Sequence, residues 1–145
     1  KAKLIMSDRI SKEKRSWNMQ RITSKDTLPE VRVRSWLFQH GFRFRKNDPR
    51  YPGKPDVVLP KYKTVIFVNG CFWHHHEGCR YAFVPKTRTD FWLAKFRRNR
   101  VNDTFHRESL EKMGWHVIVI WECEIKADFE VAMNRVASIL HQRRE

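Results

Sequence analysis

The stretch VIFVNGCFWHHHEGC, Val65 to Cys79, decides how the chain is read. Its first part completes an apolar run from Tyr62 to Val68, hydrophobic enough for a central strand of a sheet. The remainder crowds two glycines, two cysteines, two large aromatics and three consecutive histidines into what must be a loop. A buried strand that runs straight into Cys and His side chains sets soft and borderline metal donors at the end of a sheet. Cys71-x4-His76-x2-Cys79 is a local ligand set, and Cys123, at the end of the last strand, is the remaining cysteine of the chain. Three thiolates and one imidazole make up the closed four-ligand shell of a structural Zn²⁺. Local spacing does not separate neighbours, so His75 competes with His76 for the imidazole place. An odd number of cysteines cannot pair completely as disulfides, which also favours a metal role.

Upstream of this strand, Pro60 and Lys61 turn the chain, and before them Val57 to Leu59 form a short apolar run headed by Asp56. Further back, Asp26 or Thr27 caps a helix with Pro29 in its first turn and Glu30 at its positive end. Val33, Trp36, Leu37 and His40 share one face of that helix, and Gly41 stops it. Phe42 and Phe44 alternate with Arg43 and Arg45, the period of a half-buried strand, before a turn-rich loop from Asn47 to Pro55. Downstream, a helix opens at Asp90, carries Trp92, Leu93 and Phe96, breaks near Asn102 and Asp103, resumes with Phe105, Leu110 and Met113, and ends at Gly114. Trp115 to Trp121 reads as a strand, and Phe129, Met133, Val136 and Leu140 mark a closing amphipathic helix. The order α, β, β, β, α, β, α predicts an α/β fold, a mixed sheet flanked by helices. Residues 1–25, with eight Lys or Arg, form a basic arm in this reading, and residues 26–145 a single domain.

A formal charge of +14, from 30 Lys and Arg against 16 Asp and Glu, exceeds what solubility asks for and points to a polyanionic partner, nucleic acid first. Lys86, Arg88, Lys95, Arg97, Arg98 and Arg100 interleave with Phe91, Trp92 and Phe96, the composition of a face that contacts phosphates and stacks on bases. The basic arm would bring Trp17, Asn18, Met19 and Gln20 near a groove. No apolar run approaches the length of a membrane span, so the expected setting is the cytoplasm, at the nucleoid, without membrane contact.

Asp56 and His74 fall near one end of adjacent strands. A carboxylate there can hold a divalent cation against a phosphate, and a free imidazole can take a proton from water, the two requirements of phosphodiester hydrolysis. Glu30 would orient His74 or bind a metal-bound water. Each residue also has a plain structural reading: Asp56 as a strand cap, His74 as a surface histidine, Glu30 as a first-turn acid.

GKPD (Gly53 to Asp56), FVNGCFWHHH (Phe67 to His76), TRTDFWLAK (Thr87 to Lys95) and GWHVIVIWEC (Gly114 to Cys123) together resemble the very short patch repair (Vsr) DNA mismatch endonucleases, in order and with compatible spacing. The resemblance implies a restriction-endonuclease-like fold and a Mg²⁺-dependent nick in double-stranded DNA, 5′ to the thymine of a T·G mismatch. It implies Asp56 and the main chain of Val68 as Mg²⁺ ligands, His74 as general base, and Glu30 as its helix-borne partner. Cys71, His76, Cys79 and Cys123 match the zinc ligands. Phe72, Trp73 and Trp92 match aromatics that wedge into the duplex, and Lys95 and Asn99 fall where the mismatched bases are read. One active site suffices for one nick, so a monomer is expected, with downstream repair proteins taking up the product. This chain departs from the pattern at Val68, where a threonine is usual, at Asn69, where a histidine is usual, and by one extra residue between His76 and Cys79. The rival expectations are a nicking nuclease of different specificity and a zinc-stabilised DNA-binding protein without cleavage.

Overall fold

The computed structural model describes residues 27–143; the basic arm and its Met19 lie outside the described residues. The elements are helix α1 (Leu28–Gln39), strand β1 (Val57–Leu59), a 3-10 turn (Pro60–Tyr62), strand β2 (Thr64–Asn69), helix α2 (Thr89–Lys112), strand β3 (His116–Trp121), helix α3 (Glu122–Ala127) and helix α4 (Phe129–Arg143). Glu30 reaches back to accept the main-chain N–H of Thr27 at 3.3 Å, which fixes the start of α1 as the sequence predicts.

The sheet has three strands in the order β1-β2-β3. β1 and β2 form an antiparallel hairpin, Val57 opposite Ile66, while β2 and β3 run parallel in a register that sets Thr64 beside His116 and Asn69 beside Trp121. A parallel pair requires a crossover, and α2 supplies it. Alternation along the strands divides the core into two layers. Val57, Leu59, Ile66, Ile118 and Ile120 pack with Val33, Trp36 and Leu37 of α1 and Met133, Val136 and Leu140 of α4. Val58 and Val65 turn the other way, onto Leu110 of α2 and Trp115, with Phe67 and Val117 against them. The architecture is therefore the mixed α/β sandwich that the element order implies.

Three local expectations are corrected. Phe42 to Arg45 does not form a strand: Arg45 makes one antiparallel bridge with Val58, and Phe42 is instead a core side chain. β1 is only three residues long, so little ladder is open to pair with. The break expected at Asn102 and Asp103 is absent, and α2 runs unbroken for 24 residues. Asn and Asp each cost a helix only about 0.7 kcal/mol, and burial of Phe96 and Leu110 on the inner face offsets that. Cys123 lies not at the end of a strand but in α3, whose start is fixed by Glu124 accepting the Trp121 N–H at 2.9 Å.

Candidate active site and metal centre

Both sites stand at the end of the sheet where the parallel strands finish. Since Asn69 and Trp121 are register partners, Cys71 and Cys123 each come two residues beyond the last pair, which brings together two cysteines 52 residues apart. Consecutive turns after β2, with His76 N–H bonded to Cys71 O at 2.9 Å and Cys79 N–H to His76 O at 3.2 Å, curl the loop so that its donors converge. The ligand atoms of Cys71, His76, Cys79 and Cys123 all lie within 4.8 Å of one another, a group that could hold a metal ion. His76 Nδ1 is 3.7 Å from Cys71 Sγ and 3.5 Å from Cys123 Sγ, and its ring is stacked on Trp121 at 3.9 Å. His75 is not part of the group. It takes a left-handed backbone (φ 47°), stacks on Phe96 at 4.4 Å and keeps Nδ1 buried without a partner among the described residues. Gly78, with φ 72°, makes the turn between His76 and Cys79. Burial pushes the Cys71 thiol up to about 12, so the cluster needs a cation before this sulfur carries charge.

Asp56 emerges from its loop just ahead of β1 and turns its carboxylate to the end of β2, where Oδ2 accepts the Val68 N–H at 2.6 Å. It is only 9% exposed, and Glu30 beside it 5%. Burial pushes Asp56 up to about 7; the Val68 N–H opposes that rise, and the adjacent Glu30 carboxyl adds to it. Two buried carboxyl groups facing a backbone edge form an oxygen-donor set suited to a hard divalent cation.

His74 has a different partner from the one expected. Its Nδ1 lies 2.7 Å from Oδ2 of Asp103, on the inner face of α2. A carboxylate accepts, so in this contact Nδ1 is the donor, and Nε2 is the ring nitrogen that Asp103 does not engage. Glu30 keeps company with Asp56 and Arg34 instead: Arg34 Nη1 is 3.8 Å from Glu30 Oε2 and donates to the Asp56 carbonyl at 3.3 Å. Asp103 was legible as part of the stripe Phe96, Asn99, Asp103, His106 and Leu110, spaced three and four apart, but its helix-weakening character invites the reading of a break. Asn69 is 8% exposed, and no side-chain hydrogen bond joins it to another described residue. By alternation it faces the α2 side with Val65 and Phe67, the side that holds Asp103.

The family model of the DNA mismatch endonuclease Vsr matches residues 7–80. The chain is similar to the type II nicking enzyme V.NmeAIP of Neisseria meningitidis, 54% identical over 83% of this chain and 86% of the relative. It is also similar to the DNA mismatch endonuclease Vsr of Escherichia coli, 44% identical over 83% of this chain and 77% of the relative. A third similarity is to the type II nicking enzyme V.XorIIP of Xanthomonas oryzae, 44% identical over 93% and 98%. The chain belongs to the Vsr family of DNA mismatch endonucleases.

As a Vsr-family enzyme it is a nuclease acting on DNA, and its charge finds its partner there. The matched region takes in Glu30, Asp56, Val68 and the metal loop as far as Cys79, but stops short of α2 and Cys123. The surface expected at the duplex is built by α2 and that loop. Trp73 and Trp92 are half-buried, with ring centroids 5.8 Å apart. Phe72 is buried: it is the hub of the cluster, in contact with Trp73, Phe83, Trp92 and Phe96 at 5.1 to 5.3 Å. Asn99 donates from Nδ2 to the Trp73 carbonyl at 2.7 Å, so it braces the aromatic loop, while Lys95, one turn earlier, is half-buried. Arg97, Arg98 and Arg100 are exposed on the same helix. Among the described residues, no helix is long and apolar enough to cross a membrane.

Proposed function

We propose that the protein hydrolyses one phosphodiester of duplex DNA at a T·G mismatch, 5′ to the mispaired T, on a restriction-endonuclease-like scaffold. The observation that carries the reading is a buried carboxylate held at the end of β2 (Asp56 on Val68 N–H), with an imidazole paired to a carboxylate (His74 with Asp103) in the loop that follows the same strand. His74 Nε2 takes a proton from water, and the Asp103 carboxylate stabilises the imidazolium that forms. The hydroxide equivalent attacks phosphorus, the bond from phosphorus to O3′ breaks, and the departing O3′ takes a proton from solvent to become the 3′-hydroxyl, with the phosphate remaining on the 5′ side of the next nucleotide. Glu30 and Asp56, with the Val68 carbonyl, fit Mg²⁺ by their hard-oxygen chemistry. Bound there, Mg²⁺ would polarise the phosphoryl group and offset its charge. Because the Val68 contribution comes from the main chain, the valine leaves it intact.

Cys71, His76, Cys79 and Cys123 fit Zn²⁺, since a Cys₃His set with no further donor is a structural shell. That role suits the position: the ion would tie the aromatic loop to α3, holding His74 and Trp73 at fixed distances from Asp56. Trp73, Trp92 and, once displaced from its hub, Phe72 would wedge beside the mismatch, where unstacking costs least. Lys95 and Asn99 border that wedge on α2 and would read the bases. The enzyme would work as a monomer in the cytoplasm, at the nucleoid, and hand its nick to downstream repair proteins.

The names of the two type II nicking enzymes favour a second reading, a nicking nuclease of other mismatch or sequence specificity. A set of strand-labelled duplexes separates the two: T·G, matched T·A, and A·C in varied flanks, each with Mg²⁺. The proposal expects cleavage of T·G far above the rest; equal cleavage of a matched duplex would refute it.

A further inference from the structure

Arg34 stands in the sheet-facing stripe of α1, between Val33 and Leu37 of the core, where an apolar side chain would be usual. Its side chain is 8% exposed. A buried guanidinium costs free energy unless it is paired, and a well-packed apolar residue in its place commonly stabilises a fold. Stability alone therefore does not account for an arginine here.

What the side chain touches does account for it. Spacing of i, i+4 sets Arg34 beside Glu30, with Nη1 3.8 Å from Oε2. The same nitrogen donates to the carbonyl oxygen of Asp56 at 3.3 Å, across 22 residues of chain. One guanidinium thus joins the helix-borne carboxylate to the main chain that carries the other carboxylate, from behind both. Glu30 and Asp56 are themselves adjacent and buried, so two carboxyl groups share one small site. Arginine stays charged at all relevant pH, and its rigid planar head holds Nη1 against both oxygens from one fixed direction, which the compact ammonium on a flexible lysine stem does not.

We infer that Arg34 is a positioning residue that clamps Glu30 to the Asp56 main chain and so keeps the two carboxylates converged for a divalent cation before DNA arrives. The inference rests on the reading of Asp56 as a metal ligand. It assigns Arg34 no contact with substrate.

The test is Mn²⁺ binding to the full chain, loaded with Zn²⁺ and without DNA, followed by the electron paramagnetic resonance signal of free Mn²⁺. Arg34→Lys keeps the charge but loses the rigid planar head that places Nη1, and Arg34→Met loses both. Both variants should bind Mn²⁺ about tenfold more weakly or worse, the usual scale for removing a residue that orients a ligand. Nicking by Arg34→Lys should recover towards wild type as Mg²⁺ is raised, because the lost term is the affinity for the ion. Mn²⁺ affinity of Arg34→Lys within twofold of wild type overturns the inference, including the case where Arg34→Met melts early and Arg34 is only a structural tether. Should Arg34→Met not fold, Arg34→Lys decides alone. Asp56→Ala is titrated alongside: its loss of Mn²⁺ binding upholds the metal-ligand reading, so that failure in Arg34→Lys falls on the clamp alone. Retention of Mn²⁺ by Asp56→Ala overturns both.

Discussion

Asp56→Asn should make the protein more stable, and the gain should depend on pH. The Asp56 carboxyl is pushed from 3.8 to about 7 by burial in the folded chain. Between those values the native state holds a proton that the unfolded chain has released, so stability falls as pH rises through the window. The contribution is fully present below about 4 and is gone above about 7. A shift of about three units, at about 1.4 kcal/mol per unit, sets an upper limit of about 4 kcal/mol, which local relaxation reduces. Asparagine is neutral throughout and its carbonyl can still accept the Val68 N–H, so the variant escapes the cost of burying a charge. Urea unfolding, followed by tryptophan fluorescence without added Mg²⁺, should show the variant ahead of wild type by a margin that grows about 2–3 kcal/mol from pH 5 to pH 8. Millimolar Mg²⁺ should then raise the wild type and leave the variant where it was. A margin that stays constant over that range, or one that grows towards acid, would show that Asp56 is not held as a buried carboxyl, and the electrostatic account of the site would fall.

Three further outcomes are expected. Asp103→Asn should reduce nicking by about 10²-fold or more while mismatch affinity is unchanged, because the imidazole loses its orienting anion; single-turnover rates that match wild type would remove Asp103 from the mechanism. Cys123→Ser should lower zinc content, by elemental analysis, and melting temperature together, and a stable variant with a full metal complement would show that the cluster closes without it. Trp92→Ala should weaken binding to a T·G duplex by about 1–3 kcal/mol and binding to matched duplex by less; equal loss on both would make Trp92 a packing residue of the Phe72 cluster.

How much of this was legible in the chain follows from which interactions are local. The β2 strand, the capped α1 and the closing helix announce themselves through periodicity, and their boundaries fall within a few residues of those observed. The Cys/His cluster was readable because three of its donors are close in sequence, and the choice between His75 and His76 needed only the turns that aim them. Asp103 and Arg34 were hidden for the same reason as each other. Each is a polar residue on the inner face of a helix, and what explains it is a partner 29 or 22 residues away. Propensity marks Asp103 as a weak point in α2, whereas tertiary contact turns it into the support of His74. The strand expected at Phe42 to Arg45 had the right alternation, but pairing requires a neighbour of matching length, and β1 is too short to provide one.

The central claim is that His74 and Asp56 cut one defined bond beside a mispaired thymine. It is tested most directly by resolving the nick on a duplex with one T·G mismatch, each strand labelled at its 5′ end, run against a sequencing ladder beside Asp56→Ala. The account predicts one product, on the T strand only, ending immediately 5′ to the mispaired T in a 3′-hydroxyl that a polymerase extends, and no product from the variant. Cuts on both strands, a 3′-phosphate end, or an equal yield from Asp56→Ala would contradict it.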